Sequence, residues 1–126
     1  MRGSCLCGGV SFELEGEMRD PIACHCSQCR KTSGHYWAAT AVPSNKLKLL
    51  SDSSLAWYRS SDYAQRGFCN KCGSSLFWKM EGEDKTSIGA GALEAPTDFK
   101  IKTHIFTEDK GDYYEIEEGP EQLAKY

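Results

Sequence analysis

Residues 4–16, SCLCGGVSFELEG, join the two features that decide the fold. Val10, Phe12 and Leu14 alternate with Ser11, Glu13 and Glu15, which is the period of a strand with one buried and one wet face. Just before that strand, Cys5 and Cys7 are spaced i, i+2, so both thiols share a face if the segment is extended. Gly8-Gly9 then lets the backbone fold tightly round an ion. Short runs of the same kind recur in HYWAATAV, KLKLL, LAWYRSS, SSLFWKM, TSIGAGAL and THIFTE, separated by Pro, Gly, Ser, Asp or Asn. The expectation is a mostly β protein. Helical periodicity is confined to SQCRKTSG, APTDFK and the tail PEQLAKY, each long enough for only a turn or two. The acidic stretch EDKGDYYEIEEG reads as a turn around Lys110-Gly111 with a solvated face.

The seven cysteines fall in three clusters: Cys5 and Cys7; Cys24, Cys26 and Cys29; Cys69 and Cys72. In GFCNKCGSS the C-x-x-C spacing followed by Gly73 has the form of a zinc knuckle. Two pairs supply the four thiolates of a closed tetrahedral site, and the crowded triplet in PIACHCSQCRKTSG supplies three of another. A closed site is structural, whereas a catalytic one keeps a position open. The spacing therefore divides the thiols into Cys5, Cys7, Cys69 and Cys72 for one zinc, and Cys24, Cys26 and Cys29 for a second. Spacing leaves open whether His25, His35 or His104 completes the triplet, or whether the triplet is an incidental redox group. His25 reads as a surface residue or a support for the ligands, and His35 and His104 as packed residues or proton shuttles.

Size and charge narrow the functions. At 126 residues the chain is expected to be one domain, and 40 % hydrophobic with 26 % charged residues is a globular composition. A net charge of −3 lacks the basic excess that a phosphate backbone demands, so no nucleic-acid partner is expected. No stretch approaches the roughly 20 apolar residues that span a bilayer, and MRGSCLCGGV contains no apolar signal core, so neither a membrane nor export is expected. An odd number of cysteines without such a signal points to a reducing, cytoplasmic setting.

The stretches GSCLCGGVSFE, CHCSQCRKTSG, GFCNKCGSSLFW, IGAGALE and HIFTEDKGD resemble the glutathione-dependent formaldehyde-activating family and its centromere-protein-V-like relatives, over most of residues 3 to 112. The resemblance implies an Mss4-like fold of several coiled antiparallel β-sheets pinned by zinc, as a single domain over residues 1–126. It also implies a carbon–sulfur lyase activity. Carried over residue by residue, it makes Cys5, Cys7, Cys69 and Cys72 the structural zinc ligands and Cys24, Cys26 and Cys29 the catalytic ones, giving two zinc ions per chain. The chain is shorter than the named enzyme, and no residue matches a glutathione-contacting set.

Three thiolates and one zinc carry a net negative charge before a fourth ligand joins, and zinc deprotonates a coordinating thiol. The expected chemistry is attack of a glutathione-like thiolate on a small aldehyde, or the reverse cleavage. Arg30, next to the triplet, is the first candidate to pair with a thiol's carboxylate, followed by Lys31, Arg66 and Lys71. The competing reading is a non-catalytic zinc-stabilised binding module of the same general fold. Methionine sulfoxide reduction is disfavoured because no cysteine follows Cys72. Trp37, Trp57, Tyr58, Phe77 and Trp78 are expected to fill the core or line a cleft.

Overall fold

The computed structural model describes all 126 residues. In chain order the strands are β1 (Arg2–Ser4), β2 (Ser11–Leu14), β3 (Ile22–Cys24), β4 (Trp37–Pro43), β5 (Leu47–Ser51), β6 (Leu55–Arg59), β7 (Ala64–Cys69), β8 (Ser75–Met80), β9 (Lys85–Gly89), β10 (Thr103–Ile105) and β11 (Glu121–Gln122). One α-helix, α1 (Ser27–Ser33), follows β3, and short 3-10 turns occupy Ser44–Lys46, Ala90–Ala92 and Thr107–Asp109. The mostly β expectation holds. No helix is long and apolar enough to cross a membrane. The chain gathers into two compact units, Met1–Arg19 with Thr40–Asp98, and Asp20–Ala39 with Phe99–Tyr126.

In the first unit β2 is the middle strand of an antiparallel sheet, with Phe12 opposite Gly3 on β1 and Leu49 on β5. Strands β6, β7, β8 and β9 form an antiparallel meander. The register of β7 and β8 shifts between Gly67 and Phe68, a bulge that re-aims the chain just ahead of Cys69. The alternation read from the sequence is the packing observed, since Val10, Phe12 and Leu14 join Val42, Leu76, Phe77 and Ile88 in the core. Phe77 meets Phe12 edge-on with centroids 5.1 Å apart and stacks on Trp57 at 6.0 Å. Phe77→Ala is expected to cost about 3–5 kcal/mol through lost contacts and the cavity left behind. A denaturant midpoint that does not move would contradict this account of the core.

In the second unit β3 pairs antiparallel with the start of β4, Cys24 lying opposite Trp37, and parallel with β10, His104 lying beside Ala23. β10 also pairs parallel with β11. These parallel contacts depart from the antiparallel expectation. β3 and β10 are joined through most of the chain rather than by a hairpin, so no tight turn forces their directions to oppose. Two segments read as helical turns are not helical. Residues 95–100 contain Asp98 in the left-handed region at φ 60°, which no continuous helix accommodates. The tail pairs instead as β11, with Glu121 N–H donating to the Lys102 carbonyl and Leu123 N–H to that of His104. So short a tail gains more from those bonds than from an unnucleated helix.

Candidate metal centres

The first cluster lies in the first unit. Cys5 and Cys7 precede β2, and Cys69 ends β7, with Cys72 in the turn before β8. Their four sulfurs lie within 4.8 Å of one another. Cys7 Sγ is 3.6 Å from both Cys5 Sγ and Cys69 Sγ. A tetrahedral site with Zn–S of about 2.3 Å has S···S edges of about 3.8 Å, so this set fits a four-thiolate ion. The backbone is arranged to the same end. Gly73 takes φ 78° and returns its N–H to the Cys69 carbonyl at 2.8 Å, a turn that a side chain at that position would strain.

Donors around the sulfurs favour the ligating thiolate form. The Ser74 hydroxyl, then the Ser74 N–H, holds the Cys72 thiol down at about 5. The Ser54 hydroxyl, 3.2 Å away, followed by the Cys72 N–H, brings Cys69 to about 7. Cys7 moves the other way. The Gly9 N–H stabilises its thiolate, but Cys5 and Cys69 beside it outweigh that bond and push it up to about 11. Four anions this close cannot share the space without a cation.

The second cluster lies in the second unit. Cys24 ends β3, Cys26 caps α1 and Cys29 sits within it, and their sulfurs also lie within 4.8 Å of one another. Cys29 N–H donates to Cys26 Sγ at 3.4 Å. Arg30 N–H donates to the Cys26 carbonyl at 3.0 Å, so the helix start fixes two of the three thiols. Cys26 and Cys29, together with burial, push the Cys24 thiol far above its ordinary range. The cluster needs a cation to become a set of thiolates, and such soft donors select zinc-like ions over magnesium or calcium.

None of the histidines completes this triplet. His25, read above as a surface or supporting residue, is wholly buried, with Nδ1 2.6 Å from Tyr114 Oη and Nε2 2.8 Å from His104 Nδ1. Burial first, then the neighbouring His104, His35 and Lys110, holds its ring neutral with a pKa of about 4. His35 is exposed, its Nδ1 3.1 Å from Tyr113 Oη. The set of clustered ligand-type side chains stops at three, one fewer than a closed tetrahedral site uses.

The remaining candidates divide. Arg30 Nε donates to the Asp109 carbonyl at 3.1 Å, which anchors the side chain beside α1. Lys31 and Lys71 are exposed, and Arg66 lies on β7 between Tyr58 and Trp78. Phe77 is core, Trp37 and Trp78 are half-buried, and Trp57 and Tyr58 are exposed on β6. Sequence reasoning passed over Tyr113 and Tyr114 as part of a solvated turn. Their rings instead meet each other at 4.8 Å, and Tyr114 meets His35 at 4.5 Å and His25 at 5.5 Å. Lys110 Nζ donates to the Tyr114 carbonyl at 2.7 Å and lies 5.2 Å over its ring. Gly111 permits this turn, because an added Cβ would collide with the Tyr113 ring and come within 2.9 Å of Tyr114. Gly111→Ala is therefore expected to displace both rings, destabilise the turn by about 1–3 kcal/mol and change the near-UV dichroism. A tyrosine signal identical to wild type would contradict that packing.

Known proteins bear on these sites. An uncharacterized lyase of Schizosaccharomyces pombe is 25 % identical over 115 residues, covering 90 % of this chain and 83 % of its own. A crystal structure of a Rhodobacter sphaeroides protein is similar with a TM-score of 0.65 and 25 % identity, covering 75 % of this chain and 89 % of that one. The family model of the glutathione-dependent formaldehyde-activating enzyme matches residues 1–109, across both cysteine clusters. The chain belongs to that family.

Proposed function

We propose that this chain is a zinc-dependent carbon–sulfur lyase acting on the adduct of a small aldehyde with a glutathione-like thiol, within the cytoplasm. The observation that carries the reading is the contrast between the clusters: one gathers four thiols, the other three, with no histidine nitrogen among them. Two zinc ions per chain are expected. Cys5, Cys7, Cys69 and Cys72 would hold the structural one, and Cys24, Cys26 and Cys29 the one with a free position. Zinc at the triplet would supply acidification of a coordinating thiol, so that the thiol reacts as its thiolate at neutral pH.

The chain's own residues bind and orient. Cys24, Cys26 and Cys29 present their sulfurs from the end of a strand and the start of a helix. Arg30, fixed through the Asp109 carbonyl, offers a permanent positive charge to a carboxylate of the thiol. In synthesis a bond forms between the thiol sulfur and the carbonyl carbon, and the thiol proton ends on the carbonyl oxygen. Cleavage reverses both changes, and nothing is oxidised or reduced. Exchange NMR of glutathione with formaldehyde tests the reading. The protein is expected to speed adduct formation and cleavage roughly 100-fold or more over the spontaneous exchange. Arg30→Ala should weaken this about tenfold for glutathione and little for an uncharged thiol. No acceleration with any pairing of thiol and small aldehyde would sink the enzyme reading and leave the binding module in its place.

A further inference from the structure

The residue between Cys24 and Cys26 is held at three of its atoms. The His25 N–H donates to the Ile105 carbonyl at 3.0 Å, its Nδ1 lies 2.6 Å from Tyr114 Oη, and its Nε2 lies 2.8 Å from His104 Nδ1. His104 comes from β10, whose register sets it beside Ala23, and it is only 5 % exposed. Its other nitrogen, Nε2, is buried without a hydrogen-bond partner. An unsatisfied buried nitrogen is unfavourable, so an apolar side chain would serve packing better at this position. What an apolar side chain cannot supply is the bond to His25.

We propose that His104 and Tyr114 are positioning residues for the three-thiol cluster: gripping the His25 ring at both nitrogens, they fix the backbone between Cys24 and Cys26 and preorganise the cluster for its metal. The inference rests on the triplet being a metal site. Successive side chains of an extended segment point to opposite sides, so a His25 seated inward commits both flanking thiols to the other side. Cys26 in that position caps α1 and brings Cys29 into reach. With the ring released, the segment can turn and the three sulfurs lose their common focus. Groups that orient metal ligands without touching the metal typically alter affinity by roughly 10- to 100-fold.

The test uses the full chain purified with its zinc and competed with a chromophoric zinc chelator under reducing conditions. Wild type should release zinc in two steps, the triplet first. His104→Leu should move the first step to roughly tenfold less chelator or lower, and leave the second step and the circular dichroism unchanged. His104→Asn places an amide where Nδ1 stood and should stay within about threefold of wild type. Tyr114→Phe keeps the ring, loses the hydroxyl and should shift the first step the same way as His104→Leu, which keeps the test decisive if the leucine variant fails to fold. The proposal is overturned if Tyr114→Phe leaves the first step where it was, or if His104→Asn shifts it as far as His104→Leu. A wild-type chain that gives up a single zinc in one step overturns the metal reading of the triplet itself, and this inference with it.

Discussion

Cys69→Ser is expected to leave the first unit without a cooperative fold. Cys69 is wholly buried, and its sulfur lies 3.6 Å from that of Cys7, a residue 62 positions earlier in the chain. A crosslink across that span restrains far more of the unfolded ensemble than a local one, worth about 4 kcal/mol by the loop-closure relation used for disulfides. Structural zinc in finger peptides contributes about 10–16 kcal/mol, against about 5–15 for the whole stability of a domain. Losing one of four ligands therefore exceeds what the core of Phe12, Phe77, Leu76 and Ile88 can hold alone. Thermal melting followed by far-UV dichroism should lose its cooperative transition. An unchanged melt would refute the structural role, and Cys5 and Cys7 variants should behave like Cys69→Ser.

Cys26→Ser is expected to do the reverse, removing activity while sparing the fold. The three thiols lie within a strand end and the first turn of α1, so an ion there ties together only that short segment. The serine hydroxyl can still cap the helix, the role that Cys26 Sγ performs by accepting from Cys29 N–H. What it cannot do is act as a soft thiolate ligand. Thiol-dependent exchange with formaldehyde should fall to the spontaneous rate, with the dichroism spectrum retained. Wild-type exchange rates in Cys26→Ser would detach the chemistry from the triplet.

The strand of Val10, Phe12 and Leu14 was legible because period two is a local pattern, and the four-plus-three grouping because two close pairs, though 62 residues apart, supply the four ligands of a closed site and leave the triplet over. β7 was not, since AQRGFC mixes polar residues and glycine, and the strand is held by β6 and β8 on either side rather than by its own alternation. Tyr114 and His25 lie 89 residues apart, and nothing in the composition of an acidic turn announces that its tyrosine will meet a buried imidazole. The one local hint was Gly111, whose missing side chain makes room for both tyrosine rings. The inward turn of His25 was half legible. An extended segment sends it away from its flanking cysteines, but only the pairing of β3 with β10 makes that side the interior.

Zinc content measured alongside circular dichroism, in wild type and Cys26→Ser prepared identically, tests the division of the seven thiols most directly. The account predicts two zinc ions per wild-type chain and one in a fully folded Cys26→Ser. One zinc in wild type, or a Cys26→Ser chain that unfolds as completely as Cys69→Ser, would contradict it.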